Sequence, residues 1–165
     1  MAAVVLLLAS FIFAVDAAFM FGKLEPKPTA AANAVVGAVM MVIGVVIGFT
    51  AAGDPVLMII TGLTMAFSIF YLLLAWGLLC DHKLNALGWH CLMAGLFCLA
   101  SSWFFFGIGD MYFGIFAIAW GILFLIAWIS LVYEKPWNNL IAWLLSVECI
   151  FTLFIPAFLL LSGKW

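Results

Sequence analysis

Two carboxyl side chains stand where nearly every neighbour is apolar: Asp16 in Phe13-Ala14-Val15-Asp16-Ala17-Ala18, and Glu148 in Leu144-Leu145-Ser146-Val147-Glu148. Ionisable groups at membrane depth are costly, and they usually face a bundle interior or a water-filled path. No lysine lies deep enough in an apolar run to pair with either acid, and the chain has five Lys and no Arg. A path so lined is a poor route for anions, and two acids are few for a steep voltage sensor. Neutral solutes, protons or cations remain. Two aromatic pairs accompany the acids. Phe67 and Tyr71 are four residues apart, as are Trp120 and Phe124, so each pair shares one helix face. Rings so placed frame a slot for a flat molecule, or pack as an aromatic core. With 17 Phe and 8 Trp in the chain, spacing alone leaves both readings open.

Other chemistries lack their residues. There is no nucleotide-binding loop and no extramembrane stretch long enough for an ATPase domain. His82 and His90, eight apart, read as residues at a membrane interface, and no catalytic triad shares a depth. Cys80, Cys91, Cys98 and Cys149 have neither disulfide nor zinc spacing and act as small hydrophobes. No catalytic activity, metal or cofactor is expected. Five lysines are too few to bind nucleic acid.

The elements that must position these residues follow from composition. The 165 residues are 70% hydrophobic and 7% charged, against about 45–50% and about 25% in soluble domains. The chain is an integral membrane protein. Its charge and proline clusters cut it into six apolar stretches, approximately 2–22, 30–52, 56–79, 85–107, 112–132 and 138–162. Each suffices for a hydrocarbon core of roughly 30 Å, which takes about 20 helical residues. Period-2 alternation of a membrane barrel is missing. The expected fold class is an all-α, six-transmembrane-helix bundle forming one domain over residues 1–165. The first stretch is expected to be a helix rather than a cleaved leader, since it lacks a basic n-region.

Lys23, Lys27, Lys83 and Lys135 fall in the first, third and fifth breaks, whereas the second and fourth carry only Asp54 and Asp110. The positive-inside bias makes the odd breaks cytoplasmic and places both termini outside, with Lys164 the one exception. At the helical rise, Glu148 lies roughly 15 Å in from the start of the sixth span. Trp120 and Phe124 lie about 12 and 18 Å from the outer end of the fifth, and Phe67 and Tyr71 about 17 and 23 Å down the third. The carboxylate and four rings therefore share a depth near the midplane. Gly37, Gly44 and Gly48 form a small-residue stripe on the second span, which lets another helix approach closely. Asn33, at the start of that span, is expected to find a cap or an interhelical hydrogen bond.

The chain also resembles the AmiS/UreI family of bacterial urea and amide channels. Gly22-Lys23-Leu24-Glu25-Pro26-Lys27-Pro28-Thr29, followed by Asn33 and Val36-Gly37, is similar to that family's first connection. Ala119-Trp120-Gly121-Ile122-Leu123-Phe124 resembles its fifth helix. Leu144-Leu145-Ser146-Val147-Glu148 and Ile155-Pro156-Ala157 through Trp165 resemble its sixth. The likeness covers most of the chain and is weakest in the second to fourth spans.

The resemblance implies a pore inside each protomer and a homohexamer around a lipid-filled centre in the inner membrane. It also implies passive passage of urea or short amides to a cytoplasmic urease or amidase. The implied pore residues are Phe67, Tyr71, Trp120, Phe124 (more often Trp) and the mid-pore acid Glu148, with Leu6, Phe13 and Leu123 as apolar neighbours at constrictions. Two features depart from the acid-gated urea channel. Asp16 replaces an Asn, and the Ala51–Pro55 connection is short where that channel has a long histidine-bearing loop. Gating near neutral pH typically uses histidine, so a channel not opened by external acid is expected. The competing class is a proton-coupled transporter relaying through Asp16 and Glu148. A structural subunit is a third.

Overall fold

With no water to satisfy a backbone in lipid, apolar stretches of this length form helices. The computed structural model describes residues 2–165, and they do so. The six helices are α1 (Ala2–Met20), α2 (Pro26–Thr50), α3 (Pro55–Cys80), α4 (Asn85–Gly107), α5 (Met111–Val132) and α6 (Asn138–Leu161). All are long and apolar enough to cross a membrane, so this is an all-helical, multi-pass membrane protein.

The second helix begins at Pro26, four residues before the expected start at 30. Pro26 and Pro28 read as helix breakers, yet in a first turn the missing N–H would have had no partner. Their fixed φ starts α2 instead. Asp54 and Asp110 prove to be caps. Asp54 Oδ1 accepts from Val56 N (2.8 Å) and Leu57 N (3.3 Å), and Asp110 Oδ1 accepts from Phe113 N (3.1 Å). Gly53, at φ +86°, lets the α2–α3 connection close in the left-handed region.

One distortion was not expected. Within α6, Cys149–Phe154 is wound as a π-helix, directly after Glu148. Pro156 supplies the cause: it has no N–H for the carbonyl of Thr152, and its ring crowds that group. The backbone relaxes into a wider turn.

Each helix packs on its chain neighbours and α6 returns to α1, closing a ring. Two seams are tight. Along α2, the stripe faces α3: a β-carbon on Gly37 would lie 3.1 Å from Tyr71 Cβ, one on Gly44 3.2 Å from Thr64 Cγ2, and one on Gly48 3.2 Å from Thr61 Cγ2. Ser68 ties the seam by donating to Gly37 O at 2.7 Å. Between α4 and α5, a β-carbon on Gly95 would sit 3.1 Å from the carbonyl oxygen of Gly121. The outside of the ring is covered with exposed apolar side chains such as Phe49, Trp76, Trp103 and Trp143, as a lipid-facing surface requires.

Candidate functional site

The centre of the ring is an aromatic plug built around Phe67 on α3. Phe67 meets Trp120 and Phe124 of α5 edge-on, with centroids 5.6 and 5.0 Å apart, and Phe13 of α1 at 6.1 Å. The helical spacing that places Phe67 with Tyr71, and Trp120 with Phe124, brings these pairs together across α3 and α5. Phe70, three residues from Phe67, joins them by packing edge-on against Phe124 at 5.5 Å. Sequence reasoning passed over it, because with so many Phe in the chain only the contact distinguishes it.

A cavity lies on each side of the plug. The first, about 40 Å³, opens among the amino end of α1, α3, the end of α4 and the start of α5; Leu6 and Leu63 line it. The second, about 70 Å³, opens towards the carboxyl end of α1 and is lined by Phe13, Asp16, Phe70, Leu123 and Phe124 among others. Both are walled by Phe67 and Trp120. The two voids are thus in line along the ring, parted by those two side chains.

The walls differ in polarity. Thr64 is the polar residue of the first cavity, and its hydroxyl already donates to Ile60 O at 2.8 Å. The second holds Asp16, Ser130 and Asn138. Asp16 is 3% exposed, and its Oδ1 accepts from Asn33 Nδ2 at 2.6 Å. The same amide nitrogen donates to Thr29 O at 3.0 Å. This is the interhelical bond expected of Asn33. Asp16 lies near the end of α1 and Asn33 near the start of α2, so the antiparallel hairpin brings them within reach.

Two of the expected pore residues line neither cavity. Tyr71 is fully buried and lines neither cavity; Phe67 and Phe70 stand beside it on α3, with centroids 6.4 and 5.5 Å away. Glu148 is buried at the last α-helical residue before the π-turn and also lines neither. Tyr71 Oη and Glu148 Oε2 have no hydrogen-bond partner among the described residues.

The π-turn contributes a residue the sequence did not single out. Thr152 Oγ1 accepts from Trp120 Nε1 at 2.9 Å and donates to Glu148 O at 2.8 Å, fixing the indole across the ring. A lone Thr in an apolar run carries no signal of this; Pro156 four residues on was the only hint. His90 also departs from the expected interfacial position. Its Nε2 lies 2.9 Å from the carbonyl oxygen of Ala66 on α3, within the helical layer, whereas His82 is exposed. No cluster suited to holding a metal ion occurs among the described residues.

Comparison with known proteins gives a consistent result. The family model described as AmiS/UreI family transporter matches residues 1–164. An amidate substrates transporter protein of Mycolicibacterium smegmatis is 25% identical over 153 residues, spanning 92% of this chain and 72% of the relative. The Helicobacter pylori urea channel in its closed state has a TM-score of 0.87 at 24% identity, covering 100% of both chains. The crystal structure of the same organism's urea channel gives 0.85 at 24% identity over 100% of this chain and 99% of that one. At these identities the structures show a shared fold.

Proposed function

The chain belongs to the AmiS/UreI family, and from that premise we propose that it is a passive channel for urea and short aliphatic amides. The observation that carries this reading is the pair of in-line cavities separated by the edge-on rings of Phe67 and Trp120. The names of the relatives, one an amidate transporter and the other a urea channel, support the solute class. The positive-inside bias supports an orientation with both termini outside the bacterial inner membrane. The first cavity then faces outward, and the second faces the cytoplasm and the urease or amidase it feeds.

Small rotations of Phe67 and Trp120 join the two cavities into a slot. A planar amide slides through on its faces, with Leu6, Phe13, Leu123 and Phe124 as its apolar walls. Stripping its polar groups of water costs roughly 2–7 kcal/mol, and acceptors beside the path return part of that. Binding stays weak, because a conducted solute must leave as readily as it enters. Ions lack compensation and are held back. Tyr71 and Glu148 flank the slot from behind its aromatic wall, and their unpartnered oxygens become available when the rings turn. The chain is one domain and performs no catalysis. Its exposed apolar flanks suit a homohexamer around lipid, as the family resemblance implies.

Stopped-flow swelling of proteoliposomes with urea, acetamide and glycerol tests the reading. Saturation-free, downhill flux that uncouplers leave unchanged is expected. Accumulation against a gradient, abolished by uncouplers, overturns it in favour of proton coupling through Asp16 and Glu148. No histidine lies in the α2–α3 or α4–α5 connections, so flux at pH 7.5 and pH 5 is expected to agree within about twofold. Large activation at the lower pH refutes this lack of acid gating.

A further inference from the structure

Outside the plug, the second cavity presents one side chain whose chemistry its surroundings do not consume. Ser130 donates its hydroxyl to Lys135 O at 2.8 Å, and Asn138 is exposed at the start of α6. Asp16 lies deeper, only 3% exposed, and lines the void. Asn33 holds Oδ1 from outside the cavity, and Asn33 is itself anchored to Thr29 O. The carboxyl is therefore fixed in orientation from behind. Its Oδ2 has no hydrogen-bond partner among the described residues, yet it is not among their fully enclosed unpartnered atoms. Phe13, three residues earlier on the same face of α1, packs on Phe67. Asp16 is thus one turn beyond the plug, the first unoccupied acceptor a solute meets after crossing the rings.

We propose that Asp16, braced by Asn33, is a specificity subsite that accepts a hydrogen bond from the N–H groups of solutes leaving the aromatic plug. This rests on the channel reading above and names what that channel selects: primary amides and urea, which carry N–H donors on a planar frame. A carboxyl group keeps an acceptor oxygen whether ionised or protonated, so the subsite works in either state. An amide that has just lost its water regains a partner there, and a molecule of the same size without N–H does not. The first cavity, whose Thr64 is already committed, offers no such distinction.

Propionamide and N,N-dimethylformamide test this, since they are isomers that differ in having or lacking N–H groups. Their permeabilities through proteoliposomes holding the full chain are read above the bare-bilayer background for wild type, Asp16→Asn and Asp16→Leu. The wild type is expected to favour propionamide. Asp16→Leu, similar in volume, is expected to lower the propionamide-to-isomer ratio about tenfold, the scale of one hydrogen bond. Asp16→Asn, which keeps an acceptor, is expected to stay within about threefold of wild type. An unchanged ratio in Asp16→Leu overturns the subsite. Should Asp16→Leu fail to assemble, Asp16→Ala is read on the same ratio, which lost stability alone does not move. A wild type that passes neither amide above background overturns the channel reading and the subsite with it. A wild type that passes both isomers equally overturns the subsite alone.

Discussion

The glycine seams of the α2–α3 and α4–α5 hairpins and the aromatic plug they surround are built on opposite principles. At the seams, at least one helix of each pair presents glycines with no side chain, so the facing helix comes close. A β-carbon on Gly121 would lie 2.9 Å from Leu99 Cδ2 and 3.2 Å from the Gly95 carbonyl oxygen, so backbone packs almost on backbone. In the plug, side chains are large and meet at ring centroids 5.0 to 5.6 Å apart, with voids of about 40 and 70 Å³ left beside them. Lipid tails are as apolar as the helices, so close packing rather than hydrophobic burial holds membrane helices together. The frame therefore relies on its glycines, which leaves the plug free to be loosely filled. Substitution in the first region should act on folding, and in the second on passage.

Gly121→Val is the most severe way to break that contrast. It forces α4 from α5 along the whole seam, and overpacking of this kind costs about 1–3 kcal/mol or more. Little monodisperse protein is expected by size-exclusion chromatography in detergent, and normal yield with normal flux would deny the seam its role. Trp120→Ala should do the reverse, removing one of two walls between the cavities while leaving both seams intact. Permeability to solutes larger than acetamide is expected to rise about tenfold, with the melting temperature lowered by the loss of a buried indole. Unchanged selectivity would show that Trp120 does not part the cavities. Thr152→Val sharpens the comparison most gently. It keeps the volume but strands the Trp120 N–H, a cost of about 1–3 kcal/mol. A modest fall in melting temperature and a change in urea flux of about threefold are expected, and a flux identical to wild type would make Thr152 structural only.

Much of this frame was legible in the sequence because its signals are long or periodic. Six apolar runs gave six helices, the stripe of Gly37, Gly44 and Gly48 gave a close-packed face, and the four-residue spacings put Phe67, Trp120 and Phe124 within reach of one another. What escaped were features decided by position rather than type. Pro26 and Pro28 start a helix instead of stopping one, because a first turn has no hydrogen bond for them to break. Pro156, inside a helix, winds the preceding turn into a π-segment and brings Thr152 to Trp120, a pairing across 32 residues that no local pattern encodes. Equal depth put Tyr71 and Glu148 level with the other rings, but depth carries no information about azimuth, and neither residue lines a cavity.

The edge-on meeting of Phe67 and Trp120 has a bearing on cellular energetics. Protons travel quickly only along an unbroken file of hydrogen-bonded waters, and an apolar constriction interrupts such a file by dewetting. Phe67 and Trp120 meet edge-on where the two voids adjoin, the kind of apolar constriction that breaks such a file. In the channel proposed above, a cell would then hold many copies at rest without short-circuiting its proton-motive force.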